Sequence, residues 1–111
     1  MTEKLSFGEM VSEAVSATVE RRRACGQKLE VIRYGYAPGA RFSRHAHPAE
    51  QLTFVLRGAL VFVFDDRETR LEAGEAILIT PDEAHGAYVP EGAPHTETLN
   101  VFTPVREAPP G

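Results

Sequence analysis

The chain has 111 residues, 42% of them hydrophobic and 25% charged, and a formal net charge of -4. That length buries one core and leaves no room for a second. The negative balance argues against nucleic-acid binding, because the one dense basic run is Arg21, Arg22 and Arg23, which reads as a solvated strand surface.

The expected organisation is a single domain over 1–111, with an N-terminal arm over 1–14, a barrel over 15–106 and a flexible tail over 107–111. In the arm, Leu5, Phe7 and Met10 are spaced to pack back onto the barrel, with no strong helical period. From Val15 the period becomes two: Val15, Ala17 and Val19 alternate with polar neighbours and predict a first strand, which Gly26 ends. Residues 29–36 are β-rich on both faces and pair with it as a hairpin. Pro38 and Gly39 turn the chain into a strand over 41–47, Pro48 makes a corner, and 51–56 forms the next strand before Gly58. Residues 59–64 are a continuous apolar run, Asp65 and Asp66 make a hairpin turn, and 68–71 returns antiparallel. Segments 76–80, 86–89 and 97–103 complete the set.

Strands recurring about every ten residues with turns between them and no central helix predict an all-β sandwich or small barrel. Cys25 is the one cysteine, so no internal disulfide forms, and beside Gly26 in a predicted turn it reads as structural. No apolar run nears the roughly 20 residues that span a bilayer, and the start of the chain lacks a leader's basic and apolar regions, so a soluble, cytoplasmic protein is expected.

His45 and His47 lie two apart in a predicted strand, so both imidazoles leave one face and can converge on an ion; a solvated edge is the plainer alternative. Gln51 follows the Pro48 corner, with Thr53 and Val55 on its face, and Glu50 should point the other way. His85 comes after the turn at Thr80, Pro81 and Asp82, where a later strand crosses the first pair. Three imidazoles and one amide oxygen leave two positions of an octahedral metal open.

Gly39, His45-x-His47, Gln51 and Gly58 resemble the first sequence motif of the cupins, with Gln51 where glutamate is usual. Gly74 and Thr80-Pro81-Asp82-Glu83-Ala84-His85 resemble the second, with Thr80 in place of a proline, Asp82 in place of a glycine, and no asparagine after His85 at the customary distance. The resemblance implies a double-stranded β-helix, or jelly roll, and the metal ligand set His45, His47, Gln51 and His85. Residues 45–51 and 100–106 are similar to the small cupins of pectin and alginate breakdown, which linearise 4,5-unsaturated monouronates. That family carries an acid where this chain has Asn100, then a pocket phenylalanine and an arginine that match Phe102 and Arg106. An amide is no general acid or base, so Asn100 is the departure that bears on activity.

Three imidazoles and an amide leave the full charge on a divalent ion, which favours Lewis-acid chemistry with zinc, nickel or manganese over redox chemistry, with iron the less natural choice. The expected function is a metal-dependent isomerase or lyase acting on a small polar metabolite such as an unsaturated uronate. A polyketide cyclase or oxygenase is the second reading, with Phe54, Phe62, Phe64 and Phe102 as pocket or core. A non-catalytic module binding a sugar or keto acid through the metal is the third, and a barrel with a vestigial site the fourth. Arg106, Arg41 and Arg33 are candidate partners for a substrate carboxylate. Tyr34, Tyr36 and Tyr88 are candidate phenols or barrel plugs, His95 reads as a loop residue, and Glu50 as a substitute acid or interface residue. The expected partners are a small-molecule substrate and a second copy of the chain in a homodimer, since the apolar strand over 59–64 is poorly suited to an open edge.

Overall fold

The computed structural model describes residues 2–105, which form two antiparallel sheets packed face to face. After a 3-10 turn at Phe7–Glu9 come ten strands: β1 Glu13–Ala14, β2 Val19–Cys25, β3 Glu30–Tyr36, β4 Arg41–His45, β5 Glu50–Arg57, β6 Ala59–Val63, β7 Glu68–Glu72, β8 Ala76–Ile79, β9 His85–Tyr88 and β10 Thr96–Thr103. One sheet runs β1-β2-β3-β10-β5-β8 and the other β4-β9-β6-β7, the two-sheet arrangement of an all-β jelly-roll barrel.

The alternation that predicts the strands also sorts their side chains. Ile32, Tyr34, Val55, Leu60, Phe62, Ile79 and Phe102 turn into the space between the sheets and form the core. The inner faces of β5 and β10 are unusual in carrying polar groups there. Gln51, Thr53, Thr96, Thr98 and Asn100 are all buried, so the interior holds hydrogen-bonding groups as well as hydrocarbon.

Two expectations change. Residues 15–18 are bends, and the strand begins at Val19 and runs through the arginine triplet. Each arginine finds a partner far away in sequence: Arg21 meets Glu13 at 3.4 Å, Arg22 donates to the Phe7 carbonyl at 3.2 Å, and Arg23 meets the fully buried Glu30 at 2.8 Å. The apolar strand β6 is not an edge, since β7 and β9 flank it and bury it. Exposed hydrophobic side chains gather instead on the outer face of the larger sheet, where Phe54, Leu56 and Leu78 are 38%, 44% and 61% exposed; Leu5, Val11 and Leu29 are exposed elsewhere. The predicted tail, over 107–111, lies outside the described residues.

Candidate metal centre

His45 closes β4, His85 opens β9, and the two are direct partners across that antiparallel pair, with ring centroids 4.6 Å apart. A β-bulge aims the first of them. Phe42 and His45 are three residues apart and would face opposite ways in an unbroken strand, but the register of β4 on β9 shifts between them. Both rings therefore turn inwards, 5.5 Å apart. Gly86 lies against the bulge and has little room for a side chain. A Cβ there would sit 3.0 Å from the Phe42 carbonyl oxygen and 3.3 Å from the Arg44 nitrogen.

His47 is brought in differently from what its spacing predicts. Strand β4 ends at His45, so alternation does not place His47; the loop into β5 does. The Asp82 amide donates to the His47 carbonyl at 2.8 Å and anchors that loop to the turn before His85. Asp82 has φ 64°, a left-handed backbone that accounts for the glycine usual at this position. The His47 ring lies 5.5 Å from that of His45 and 5.3 Å from that of His85.

Each imidazole is tied by Nδ1 to a backbone carbonyl two residues away: His45 to Ser43 at 2.9 Å, His47 to Ala49 at 2.9 Å and His85 to Glu83 at 2.8 Å. A carbonyl only accepts, so each Nδ1 carries the proton and each Nε2 is left with its electron pair. Burial, with a smaller contribution from the neighbouring imidazoles, pulls the His85 ring down to about 4, so at neutral pH it is an uncharged donor of electrons. Its Nε2 is buried with no hydrogen-bond partner. Gln51 donates from Nε2 to Thr53 Oγ1 at 2.9 Å, which turns its Oε1 towards His47 Nε2 at 3.0 Å.

These residues fit a divalent cation. One ligand atom from each of the three histidines lies within 4.8 Å of the others, near the roughly 4 Å that two bonds of about 2.1 Å to a common ion can span. The Nδ1 hydrogen bonds are the outer contacts that orient metal-ligating histidines.

The cavity beside the cluster is walled by Tyr34, Tyr36, Phe42, Phe62 and Phe102, with Asn100 as its polar group beyond the ligand side chains. No arginine, lysine or carboxylate lines it among the described residues. Phe102 packs edge-on against His47 at 5.6 Å. Asn100 is 2% exposed; its Nδ2 donates to Thr98 Oγ1 at 3.3 Å, and its Oδ1 has no partner. Tyr36 hydrogen-bonds Thr98 and Asn100, and burial raises its phenol above the ordinary value, so it stays protonated.

The remaining candidates fall elsewhere. Arg106 lies outside the described residues. Arg33 is engaged by Glu97 at 2.5 Å, and Arg41 stacks over Tyr88 at 5.5 Å. Tyr88 donates to Glu68 at 2.7 Å and is no cavity phenol. Phe64 packs near His85, but Phe54 is on the outer face and cannot line a pocket with the other phenylalanines. Glu50 is exposed and points away from Gln51, and His95 sits 3.8 Å from Glu97, outside the cluster. Tyr34 and Tyr36, named as candidate phenols, do line the cavity, whereas Phe42 and Gly86 carry no sequence signal of their place, since the bulge that sets it is a tertiary feature.

A family model described as a cupin domain matches residues 32–102. No curated protein matches the chain. Among solved structures, KdgF from Halomonas sp. has a TM-score of 0.87 at 23% identity, covering 96% of this chain and 97% of its own. An RmlC-like cupin from Shewanella frigidimarina has a TM-score of 0.84 at 26% identity, over 96% and 95% of the two chains. The polyketide cyclase RemF from Streptomyces resistomycificus has a TM-score of 0.78 at 20% identity, over 99% and 89%.

Proposed function

The chain belongs to the cupin family, and on that premise we propose that it is a metal-dependent isomerase or lyase acting on a small polar metabolite. In this reading His45, His47 and His85 through Nε2, and Gln51 through Oε1, hold one divalent ion, with zinc, nickel or manganese favoured over iron. Such an ion supplies Lewis acidity, polarising a carbonyl or hydroxyl oxygen of the substrate. The carrying observation is the convergence of electron pairs without protons: His47 Nε2 and Gln51 Oε1 lie 3.0 Å from each other, and His85 Nε2 is buried without a partner.

The chain's own residues do the rest. The three backbone carbonyls hold the imidazoles in the tautomer that leaves Nε2 available. Phe42, Phe62 and Phe102 keep water from the reacting end of the substrate and lower the local dielectric, which strengthens every polar contact there. The resemblance to the uronate-linearising cupins makes a 4,5-unsaturated galacturonate the first substrate to test, with Arg106 as the carboxylate partner. The aromatic wall, which has no cation among the described residues, supports a second reading, the enolisation of a polyketone as in polyketide cyclases.

Metal analysis of protein purified without chelator or nickel resin, with His47→Ala and Gln51→Ala alongside, tests the site. One ion per chain in the wild type, lost in both variants, is the expected result; no metal, and none on reconstitution, rejects it. Turnover of the uronate, ring closure of a polyketone, or saturable binding without product then separates the isomerase, the cyclase and a binding module.

A homodimer belongs to the same proposal, now formed through the outer face of the larger sheet. There Leu99 stands opposite Phe54, and Leu52 stands opposite both Val101 and Leu78, with Arg33 and Glu97 at the border. An apolar patch bordered by both charge signs suits pairing with a second copy of itself.

A further inference from the structure

We propose that Asn100 Oδ1 receives a hydroxyl of the substrate, so that the cavity takes a molecule presenting an uncharged O–H beside its metal-bound oxygen, as in a hydroxy-ketone, an enol or a vicinal diol. The inference rests on the metal-site reading above and specifies the substrate class for it.

The argument starts from one unpaired atom. Buried polar groups are hydrogen-bonded in folded proteins, and an exception calls for an absent partner. Asn100 is 2% exposed and lines the cavity, and its Oδ1 has no partner. Its Nδ2 donates to Thr98 Oγ1 at 3.3 Å, and its Oδ1 makes no bond. What is left without a partner is an acceptor.

The rest of the cavity decides what donor it takes. Its other walls are Tyr34, Tyr36 and the three phenylalanines, and no cation among the described residues is there to satisfy the oxygen. A carboxylate brought against Oδ1 would meet an acceptor with acceptors, whereas a neutral hydroxyl satisfies the oxygen by donating to it. Sites built to hydrogen-bond a substrate hydroxyl reject the analogue that lacks it far more strongly than they reject a change of size.

Paired probes on cobalt-loaded protein test this by binding rather than turnover. Hydroxyacetone and 2-butanone are nearly isosteric ketones, and only the first carries the hydroxyl. Titrations followed by the visible cobalt spectrum are made with wild type, Asn100→Leu and Asn100→Asp, each first checked for one cobalt per chain and an unchanged melting profile. The expected result is at least a tenfold preference of the wild type for hydroxyacetone, abolished in Asn100→Leu and kept in Asn100→Asp, which retains the acceptor and loses the donors. Equal binding of the two ketones to wild type, the same preference in Asn100→Leu, or no spectral response to either ketone overturns the inference while leaving the metal site standing. A preference lost in Asn100→Asp as well overturns it too, because the cavity-facing group is then the amide N–H. Failure to take up cobalt rejects the metal site, and the inference with it.

Discussion

His47 Nε2 and Gln51 Oε1 face each other at 3.0 Å with no proton assigned to either, because His47 gives its hydrogen to the Ala49 carbonyl and Gln51 gives its own to Thr53. Two electron pairs at that separation repel unless a positive charge lies against both. In the proposed metal site a neutral amide would serve where a carboxylate is usual, and Thr53, two residues along the strand, sets which end of the amide faces His47.

Replacing Gln51 by leucine removes the oxygen and keeps the bulk. Metal affinity should fall at least about tenfold, a loss typical of disturbing even an outer contact of a metal site. Competition against a chromogenic chelator measures it, and unchanged affinity would take Gln51 out of the ligand set.

Gly86→Ala places a methyl group 3.0 Å from the Phe42 carbonyl oxygen, inside the bulge that aims His45. The strand must shift, and overpacking of this kind costs about 1–3 kcal/mol. Chemical denaturation should show that loss, together with weaker metal binding because both His45 and its partner His85 flank the shifted segment. A variant as stable as the wild type would mean that the bulge yields freely.

At Asp82 the φ of 64° makes glycine the better residue for the backbone. Asp82→Gly should leave stability unchanged or raise it, while Asp82→Val should lower it by about 1–2 kcal/mol, because a β-branched side chain tolerates the left-handed region worse than aspartate does. Thermal melts of the pair decide, and a valine variant as stable as the glycine one would contradict the backbone assignment.

Arg33, through its hydrogen bond, holds the Glu97 carboxyl below its ordinary value near 4.5. A depressed folded value stabilises the protein above the unfolded value, and that contribution is lost as the pH falls through the folded one. Because Arg33 is 38% exposed, solvent screening keeps the effect below about 1 kcal/mol. Glu97→Gln should therefore be slightly less stable than wild type at pH 7, with the gap closing as the pH falls below the ordinary carboxylate range; a gap that does not narrow in acid would have another origin.

Leu78→Lys puts a charge on the most exposed apolar residue of the outer face, 61% exposed. Sedimentation should show a dimer in the wild type and a monomer in the variant, with the metal content of both alike. A wild type that sediments as a monomer at high concentration rejects the pairing.

Much of this molecule is legible in its sequence, and the exceptions share a cause. Turn residues and alternation place most strands to within a residue or two, since those signals are local: Gly58 divides β5 from β6, and Asp65 and Asp66 separate β6 from β7. The three histidines and Gln51 meet as their spacing and family resemblance imply, yet His47 arrives from a loop rather than by strand alternation. The arginine triplet reads as solvated because Glu13, Phe7 and Glu30 lie outside its window. The bulge between Phe42 and His45 leaves no trace in composition, since it depends on how β9 presses against β4. The unpartnered acceptor on Asn100 likewise emerges only in the fold, where its nitrogen donates to Thr98.

The three imidazoles are steered by carbonyl groups that every amino acid possesses. Positions 43, 49 and 83 can therefore exchange side chains without losing the group that points a histidine. What a lineage must preserve there is the path of the main chain, so its members can drift in residue identity around the centre while the aim of its nitrogens stays constant. Sequence comparison alone would then understate how faithfully the site is kept.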